Sequence, residues 1–257
     1  MKSVITQPKS FSWPGLIISG LLSLGLLASS YSVAPVVADP ISKEIYQERT
    51  VHSPDGIGKF YMGREIARVM GHEGAYWLER PSRAPQERPQ AVVDALALKP
   101  TDVVADIGAG TGYFTFRLSP LVSQGQVLAV DIQPEMLDII NALRNENGVT
   151  NVKPILGSLT SPNLPTSSVD LALMVDAYHE FKYPREMMTN LVDALKPGGK
   201  VVLVEYRREN PLVLIKKLHK MTQKQVKQEM NAVGLVWRKT QTELPQQHLM
   251  VFEKPMV

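Results

Sequence analysis

A carboxylate followed by three alternate glycines is the part of this chain whose residue types and spacing best indicate chemistry. Asp106 ends an apolar, β-branched run, and Gly108, Gly110 and Gly112 follow it at alternate positions. Glycine adopts positive φ without steric cost and, having no Cβ, lets a ligand approach the main chain closely. The pattern predicts a buried strand, a tight turn and a helix start, an arrangement in which a nucleotide-like ligand lies against backbone. An acid fixed at the strand end suits a ligand that carries an ammonium or sulfonium group.

Two other interpretations of the glycine pattern stay open at this point. Dinucleotide-binding folds prefer the spacing G-x-G-x-x-G, because there a helix N-terminus must receive a pyrophosphate. The spacing here is G-x-G-x-G and no second fingerprint is present, so an oxidoreductase that uses NAD or NADP is the less favoured alternative. A tight turn between strand and helix that binds no ligand is the other.

The segment from Val103 to Arg117 resembles the cofactor loop of the class I S-adenosylmethionine (SAM) methyltransferases, and the resemblance covers about residues 90–253. It implies SAM as the cofactor, bound at Asp106 and the three glycines, and methyl transfer as the activity. A narrower similarity, to a group of exported and poorly characterised bacterial methyltransferases, reaches back to about residue 60. The segments that carry it are Trp77–Pro81, Glu87–Pro89, Asp176–Phe181, Glu205–Arg207, His219–Thr222 and Leu244–His248.

Alternating apolar runs and amphipathic patterns predict the elements that position this loop. Helices are predicted at 89–98, 112–121, 133–145, 184–195 and 222–233, and strands at 102–107, 126–131, 152–156, 169–175 and 200–206. Two further strand-like runs, 235–242 and 248–253, are close enough to form an antiparallel hairpin. We predict an α/β fold: a doubly wound, mostly parallel, seven-stranded sheet with an antiparallel C-terminal hairpin strand, the sheet of class I methyltransferases.

Ligands of open parallel sheets bind beyond the carboxyl ends of the strands, so the other strand ends are candidate cofactor contacts. Asp131 and Ile132 end the second strand, where an acid can accept hydrogen bonds from ribose hydroxyls. Asp131 could equally act only as the cap of the helix that follows it. Ser158 and Leu159 follow the third strand, where many relatives carry an acid that binds the adenine amino group. Asp176 follows the fourth strand, on the side that faces the transferable methyl group.

Three histidines and two neighbouring residues are the catalytic candidates: Tyr178, His179, Glu180, His219 and His248. His179 could act as a general base or orient the nucleophile, because its pKa near neutrality suits proton removal. A histidine satisfied by local backbone is the alternative. Imidazole and carboxylate could also bind zinc or iron. Their spacing matches no local metal motif, so we predict no metal and a shared role in binding a polar substrate.

The N-terminus resembles a secretion signal. Lys2 and Lys9 precede an apolar run, no charge falls between Lys9 and Asp39, and Ala38 provides a small residue for cleavage. We expect residues 1–38 to be a signal peptide of an exported, periplasmic protein, with an uncleaved membrane anchor as the alternative. Residues 39–89 are then an N-terminal cap segment, and residues 90–257 the SAM-binding domain.

Composition limits the partners of the mature chain. The 28 basic and 25 acidic residues become 26 and 25 once Lys2 and Lys9 are removed, so charge gives no argument for binding nucleic acid. The absence of cysteine excludes disulfides and thiolate metal sites.

We therefore predict methyl transfer to a small molecule. SAM is made in the cytoplasm, so a non-catalytic module that binds or senses SAM outside it is the alternative.

Overall fold

The computed structural model describes residues 45–256. The predicted signal peptide, residues 1–38, lies outside the described residues. Among residues 45–256, no helix is both long enough and apolar enough to cross a lipid bilayer.

A seven-stranded sheet forms the centre of the molecule, and a three-stranded sheet precedes it in the chain. The strands are β1 (Tyr46–Glu48), β2 (Gly56–Tyr61), β3 (Arg64–Ala67), β4 (Val103–Ile107), β5 (Gln126–Asp131), β6 (Val152–Leu156), β7 (Val169–Val175), β8 (Leu195–Tyr206), β9 (Val236–Gln241) and β10 (Gln247–Glu253). The large sheet has the order β6-β5-β4-β7-β8-β10-β9. Strands β4 to β8 are parallel, and β10 is antiparallel to both β8 and β9. The predicted fold class is confirmed.

The direction of strand order reverses between β4 and β7, which are hydrogen-bonded neighbours. From β4 the chain proceeds outward to β5 and β6, then returns to the other side of β4 to form β7 and β8. In open α/β sheets, the crevice at the carboxyl ends of the strands beside such a reversal is the usual ligand site. The fold therefore places the segments after β4 and after β7 on the two sides of that crevice.

Helices cover both faces of the large sheet. The α-helices are α1 (Ala75–Leu78), α2 (Arg83–Glu87), α3 (Pro89–Ala95), α4 (Thr115–Leu118), α5 (Pro134–Glu146), α6 (Pro184–Ala194) and α7 (Gln223–Asn231). Because side chains alternate along a strand, Val104 packs with α3, α4 and α5 on one face, and Ala105 packs with α6 and α7 on the other. Burial on both faces explains why β4, β5 and β7 are largely apolar, whereas the edge strand β6 is buried only at Val152.

The sequence of residues 64–70 has a helical pattern, but Arg64–Ala67 is strand β3. A two-residue turn, Met62 and Gly63 with φ of 47° and 89°, joins it to β2. Positive φ at both positions matches the twist of an antiparallel hairpin. Ile66 and Ala67 are buried in this arrangement, and that burial overrides the local helical pattern.

Among the other predicted elements, two differ most from their observed bounds. The helix predicted at 112–121 is a short α4 followed by a 3₁₀ turn, Ser119–Val122, because Gly112 has φ of 87° and Pro120 lacks the N–H that a continuing helix needs. Strand β8 begins at Leu195, five residues before the predicted start, since Leu195 already pairs with Val169. Thr222 caps α7: its hydroxyl accepts a 3.1 Å hydrogen bond from the N–H of Gln225.

Candidate functional site

The glycine turn after β4 lies against β5. The N–H groups of Gly108 and Ala109 both donate to the carbonyl of Val130, at 2.8 and 3.0 Å. Gly108 and Gly110 have φ of 73° and 54°, in the region that favours glycine. A Cβ on Gly108 would lie 2.7 Å from the Cβ of Ala177, and one on Gly110 would lie 2.6 Å from Leu78 Cδ1. The turn therefore has to be bare backbone.

Asp106 is buried beneath this turn. Its Oδ2 accepts a 2.6 Å hydrogen bond from the Thr115 hydroxyl at the start of α4. Burial raises the pKa of Asp106 to about 6, and the nearby Asp131 carboxylate adds to the rise. Asp106 therefore links the strand end to the following helix and holds a proton more readily than an ordinary carboxyl group.

Asp131 is on the same edge of the sheet, at the end of the neighbouring strand. One of its oxygens accepts from the N–H of Gly110 and the other from the N–H of Gln133, both at 2.9 Å. Burial raises the pKa of Asp131, and these two hydrogen bonds oppose the rise. Asp131 thus braces both the glycine turn and the residue that precedes α5.

The predicted contacts after β5 and β6 offer mostly apolar surface. Ile132 and Leu159 are exposed side chains. The Ser158 hydroxyl accepts a 2.9 Å hydrogen bond from the N–H of Ser161, so it stabilises its own turn. The carbonyl of Asp131 accepts from the N–H of Gly157, which ties the two strand ends together.

Asp176 occupies a strained position directly after β7. It is a non-glycine residue with φ of 51°. Its Oδ2 accepts a 2.6 Å hydrogen bond from the Gln247 side chain, whereas its buried Oδ1 has no partner among the described residues. Burial raises the pKa of Asp176 well above the ordinary value, and the charges of Glu87 and Glu205 raise it further.

A cluster of two histidines and two glutamates follows at the ends of β7 and β8. His179 Nδ1 is 2.7 Å from Glu205 Oε2, and His179 Nε2 is 3.2 Å from His219 Nδ1. Glu180 Oε1 is 3.4 Å from His219 Nδ1. Burial alone would lower the pKa of His179, but the charge and hydrogen bond of Glu205, with Glu180 beyond, raise it. We call His179, Glu180, His219 and Glu205 the histidine cluster.

Two of the catalytic candidates, Tyr178 and His248, make no side-chain hydrogen bond to the histidine cluster. The hydroxyl of Tyr178 donates to Glu229 on α7 at 2.7 Å, which holds Tyr178 in the core. His248 is fully buried opposite Glu205 in the β8–β10 register, and neither ring nitrogen has a partner among residues 45–256. Burial lowers the pKa of His248.

The segment between β3 and α3 covers this edge of the sheet. Glu79 accepts a hydrogen bond from the Thr111 hydroxyl at 2.5 Å, and Leu78 lies over Gly110. Met70 spans the crevice: its N–H donates to Glu180 Oε2 and its carbonyl accepts from the Gln133 side chain. Backbone of the covering segment therefore connects the two sides of the site.

Sequence reasoning missed two residues that shape the cluster. Glu205 is the next-to-last residue of the fifth parallel strand, and its position near the carboxyl end of that strand is the signal that identifies it. Arg64 donates to the carbonyl of His179 at 3.1 Å and pairs with Glu229 at 2.6 Å. No local signal identifies Arg64, because its partner Glu229 is 165 residues away.

Comparison with known proteins places this geometry among methyltransferases. A family profile described as a methyltransferase domain matches residues 104–199. A protein-L-isoaspartate O-methyltransferase of Methanococcus aeolicus is 31% identical over 206 residues, 78% of this chain and 83% of that protein. An uncharacterized methyltransferase-like protein of Schizosaccharomyces pombe is 32% identical over 146 residues, and that match spans 57% of this chain but only 54% of the relative.

Solved structures share the fold. The crystal structure of a SAM-dependent methyltransferase from Aquifex aeolicus superposes with a TM-score of 0.68 at 22% identity, over 72% of this chain and 99% of that one.

Proposed function

We propose, from the premise that this chain belongs to the class I SAM-dependent methyltransferases, that it transfers a methyl group to a small-molecule acceptor. SAM is the cofactor of this family. The observation that carries the proposal is the bare glycine turn after β4, with Asp106 buried beneath it and Asp131 bonded to its backbone.

The residues present fit SAM. A Cβ at Gly108 or Gly110 would collide with Ala177 or Leu78, so both positions of the turn require glycine. Asp131 keeps lone pairs beyond its two backbone hydrogen bonds, and these can accept from ribose hydroxyls. Exposed Ile132 and Leu159 offer apolar surface to a planar base. The unpartnered oxygen of Asp176 suits the ammonium group of the methionine part.

When bound, SAM supplies a methyl group on a positively charged sulfur. The protein must then hold the acceptor in line and exclude water, because proximity and alignment provide most of the acceleration of such a transfer. His179, Glu180 and His219 are the polar groups that can orient the acceptor. The segment containing Met70 and Leu78 lies over this edge and can shield it from water.

A titration of SAM into the full chain tests the cofactor assignment through Asp131. We expect Asp131→Ala to weaken SAM binding about 30-fold, because hydrogen bonds to a charged group contribute about 2 kcal/mol. Asp138→Ala, a change to an exposed carboxylate on the helix that follows, should leave the affinity unchanged. Equal affinities in both variants would contradict the role of Asp131.

A small-molecule acceptor is supported by the chain's organisation. Residues 45–256 form the sheet, its helices and the short covering segment, with no additional module of a size to hold a macromolecule in that range. Incubating the protein with SAM and small-molecule extracts should yield S-adenosylhomocysteine. Production only with protein or nucleic-acid fractions would overturn the acceptor class.

We further propose export, on the sequence of residues 1–38 alone. Because SAM is a cytoplasmic metabolite, that signal favours a second candidate function, a non-catalytic SAM or S-adenosylhomocysteine sensor outside the cytoplasm. N-terminal sequencing of the protein from cells distinguishes the cases: a chain that starts at Asp39 supports export, and one that starts at Met1 contradicts cleavage.

A further inference from the structure

Three potential metal-ligand atoms converge in the histidine cluster. His179 Nε2 is 3.2 Å from His219 Nδ1 and 3.9 Å from Glu180 Oε1, and the third side of this triangle, from His219 Nδ1 to Glu180 Oε1, is 3.4 Å. Ligand atoms bound to tetrahedral zinc at about 2.0–2.1 Å lie about 3.3 Å apart. The triangle therefore has the dimensions of one face of a zinc coordination shell.

The hydrogen bond to Glu205 makes His179 a suitable ligand. Nδ1 of His179 faces the Glu205 carboxylate at 2.7 Å, so the proton of the neutral ring resides there and the lone pair is on Nε2, which points to His219 and Glu180. Histidines that bind metals almost always donate their other N–H to a carboxylate or carbonyl in this way. Glu205 is fully buried, so this orientation is fixed.

Glu180 is oriented by the covering segment. Its Oε2 accepts a 3.2 Å hydrogen bond from the N–H of Met70, which leaves Oε1 directed at the two histidines. His219 comes from the loop after β8, so two separate segments supply the three ligands. The motif is therefore assembled by the fold, which is why the sequence spacing did not show it.

The local charge also favours a cation. The carboxylates of Glu180 and Glu205 both flank His179, and Glu205 Oε1 has no hydrogen-bond partner within residues 45–256. The nearby guanidinium of Arg64 is bound in a bidentate pair to Glu229. Burying the charge of Glu205 with one oxygen unpartnered among the described residues is costly, and a divalent ion bound by the neighbouring His179 would offset part of that cost.

We propose that His179, Glu180 and His219 bind one divalent transition-metal ion, with zinc as the ion their donor set favours. Two imidazoles and one carboxylate suit zinc and iron better than magnesium or calcium, which prefer oxygen ligands. Three protein ligands leave a fourth position open, as in catalytic zinc sites. The side chain of His219 is 22% exposed, against 3% for His179, so an ion would enter from the His219 side.

Metal binding at this site depends on the geometry of the three ligands and does not require methyl transfer. A role for the open position, to bind the oxygen or sulfur of an acceptor, rests on the proposed function. Separate titrations with zinc and with SAM therefore distinguish failure of one proposal from failure of the other.

Calorimetric titration of zinc chloride into chelator-treated full-length protein tests the site. We expect one equivalent to bind, and His219→Ala and Glu180→Gln each to weaken binding more than about 100-fold. Glu205→Gln, which keeps all three ligands, should weaken it about 10- to 100-fold, the usual effect of removing an outer partner. His72→Ala, at an exposed histidine outside the cluster, should leave zinc affinity unchanged.

Cobalt(II) provides a second readout on the unaltered protein, because tetrahedral coordination by nitrogen and oxygen produces intense visible absorption. The absorption should saturate at one equivalent and be displaced by zinc. Absence of stoichiometric binding by the wild type would overturn the proposal, as would equal zinc affinities in the wild type, His219→Ala and Glu180→Gln. In that case the triangle is a hydrogen-bonded network only.

Discussion

The two sides of the crevice are built differently. On the cofactor side, at the ends of β4 and β5, both carboxylates bond to groups within the same short stretch of chain, from Asp106 to Gln133. On the acceptor side, at the ends of β7, β8 and β10, side chains from distant segments meet. There Glu205 and His248 keep buried polar atoms without partners among the described residues.

This difference separates what local sequence can specify from what the fold must assemble. A turn that binds a cofactor through its backbone needs particular glycines at particular positions, and that requirement is visible in sequence. A pocket that recognises an acceptor needs side chains brought from several strands. Its unpaired groups are the ones available to a ligand, because buried polar groups are otherwise nearly always hydrogen-bonded. The comparison predicts that the two sides can be disabled independently.

Gly110→Val should have the largest effect, abolishing SAM binding. The new side chain would collide with Leu78 and fill the space over the turn, at a φ of 54° that valine rarely adopts. Saturating SAM should raise the melting temperature of the wild type and leave that of Gly110→Val unchanged. Gly148→Val is the matched control, because Gly148 also has positive φ but nothing lies within 4 Å of its Cβ position. A melting shift with SAM in Gly110→Val equal to that of the wild type would refute the role of the turn.

Asp106→Asn, a change on the cofactor side, should alter how the free energy of unfolding depends on pH. The pKa of Asp106 is raised to about 6, so its ionisation destabilises the folded state as pH rises from about 4 to above 6. Asparagine cannot ionise. The free energy of unfolding of Asp106→Asn, relative to wild type, should therefore increase by up to about 3 kcal/mol between pH 4 and pH 7. Urea titrations at both pH values measure it, and a difference independent of pH would contradict the burial argument.

His179→Ala should disable the acceptor side alone. We expect turnover to fall about 100-fold, the order of effect of losing one positioned polar group, while SAM affinity stays within about twofold. Steady-state kinetics with the identified acceptor, beside SAM titrations, provide the comparison, with His72→Ala as control. Undiminished turnover would remove His179 from the mechanism.

Thr222→Ala should have the smallest effect and leave both sides intact. It removes the hydroxyl that caps α7, which costs about 1 kcal/mol of unfolding free energy. Helix α7 supplies Glu229, the shared partner of Arg64 and Tyr178 behind the histidine cluster. Chemical denaturation should show the loss, and kcat and SAM affinity should be unchanged. A large fall in kcat would show that the cluster depends on small movements of α7.

The central parallel strands were predictable because β4, β5 and β7 are buried on both faces and are largely apolar in sequence. The bounds of β5, β6 and β7 match the prediction residue for residue. Strand β3 was not predictable, since four residues beside a two-residue turn become a strand only through burial against β2. Helix α4 ends early because Pro120 lacks the N–H that a continuing helix needs.

The candidate site also contains residues that local sequence identifies and residues that only the fold brings together. Asp106, the glycines and Asp131 were identified from local pattern, and the structure places them on one edge of neighbouring strands. The histidines were recognised as a group, but their geometry was not, because Glu205 and Arg64 on other strands contact His179, and Met70 of the covering segment contacts Glu180. Contacts between residues far apart in sequence leave no periodic signal in one chain.

Titration calorimetry of SAM into the wild type, Gly110→Val and His179→Ala, performed side by side, tests the central claim most directly. The account predicts stoichiometric binding to the wild type, no detectable binding to Gly110→Val and nearly unchanged affinity for His179→Ala. Equal affinity in all three proteins, or absence of SAM binding to the wild type, would contradict the assignment of the glycine turn as the cofactor site.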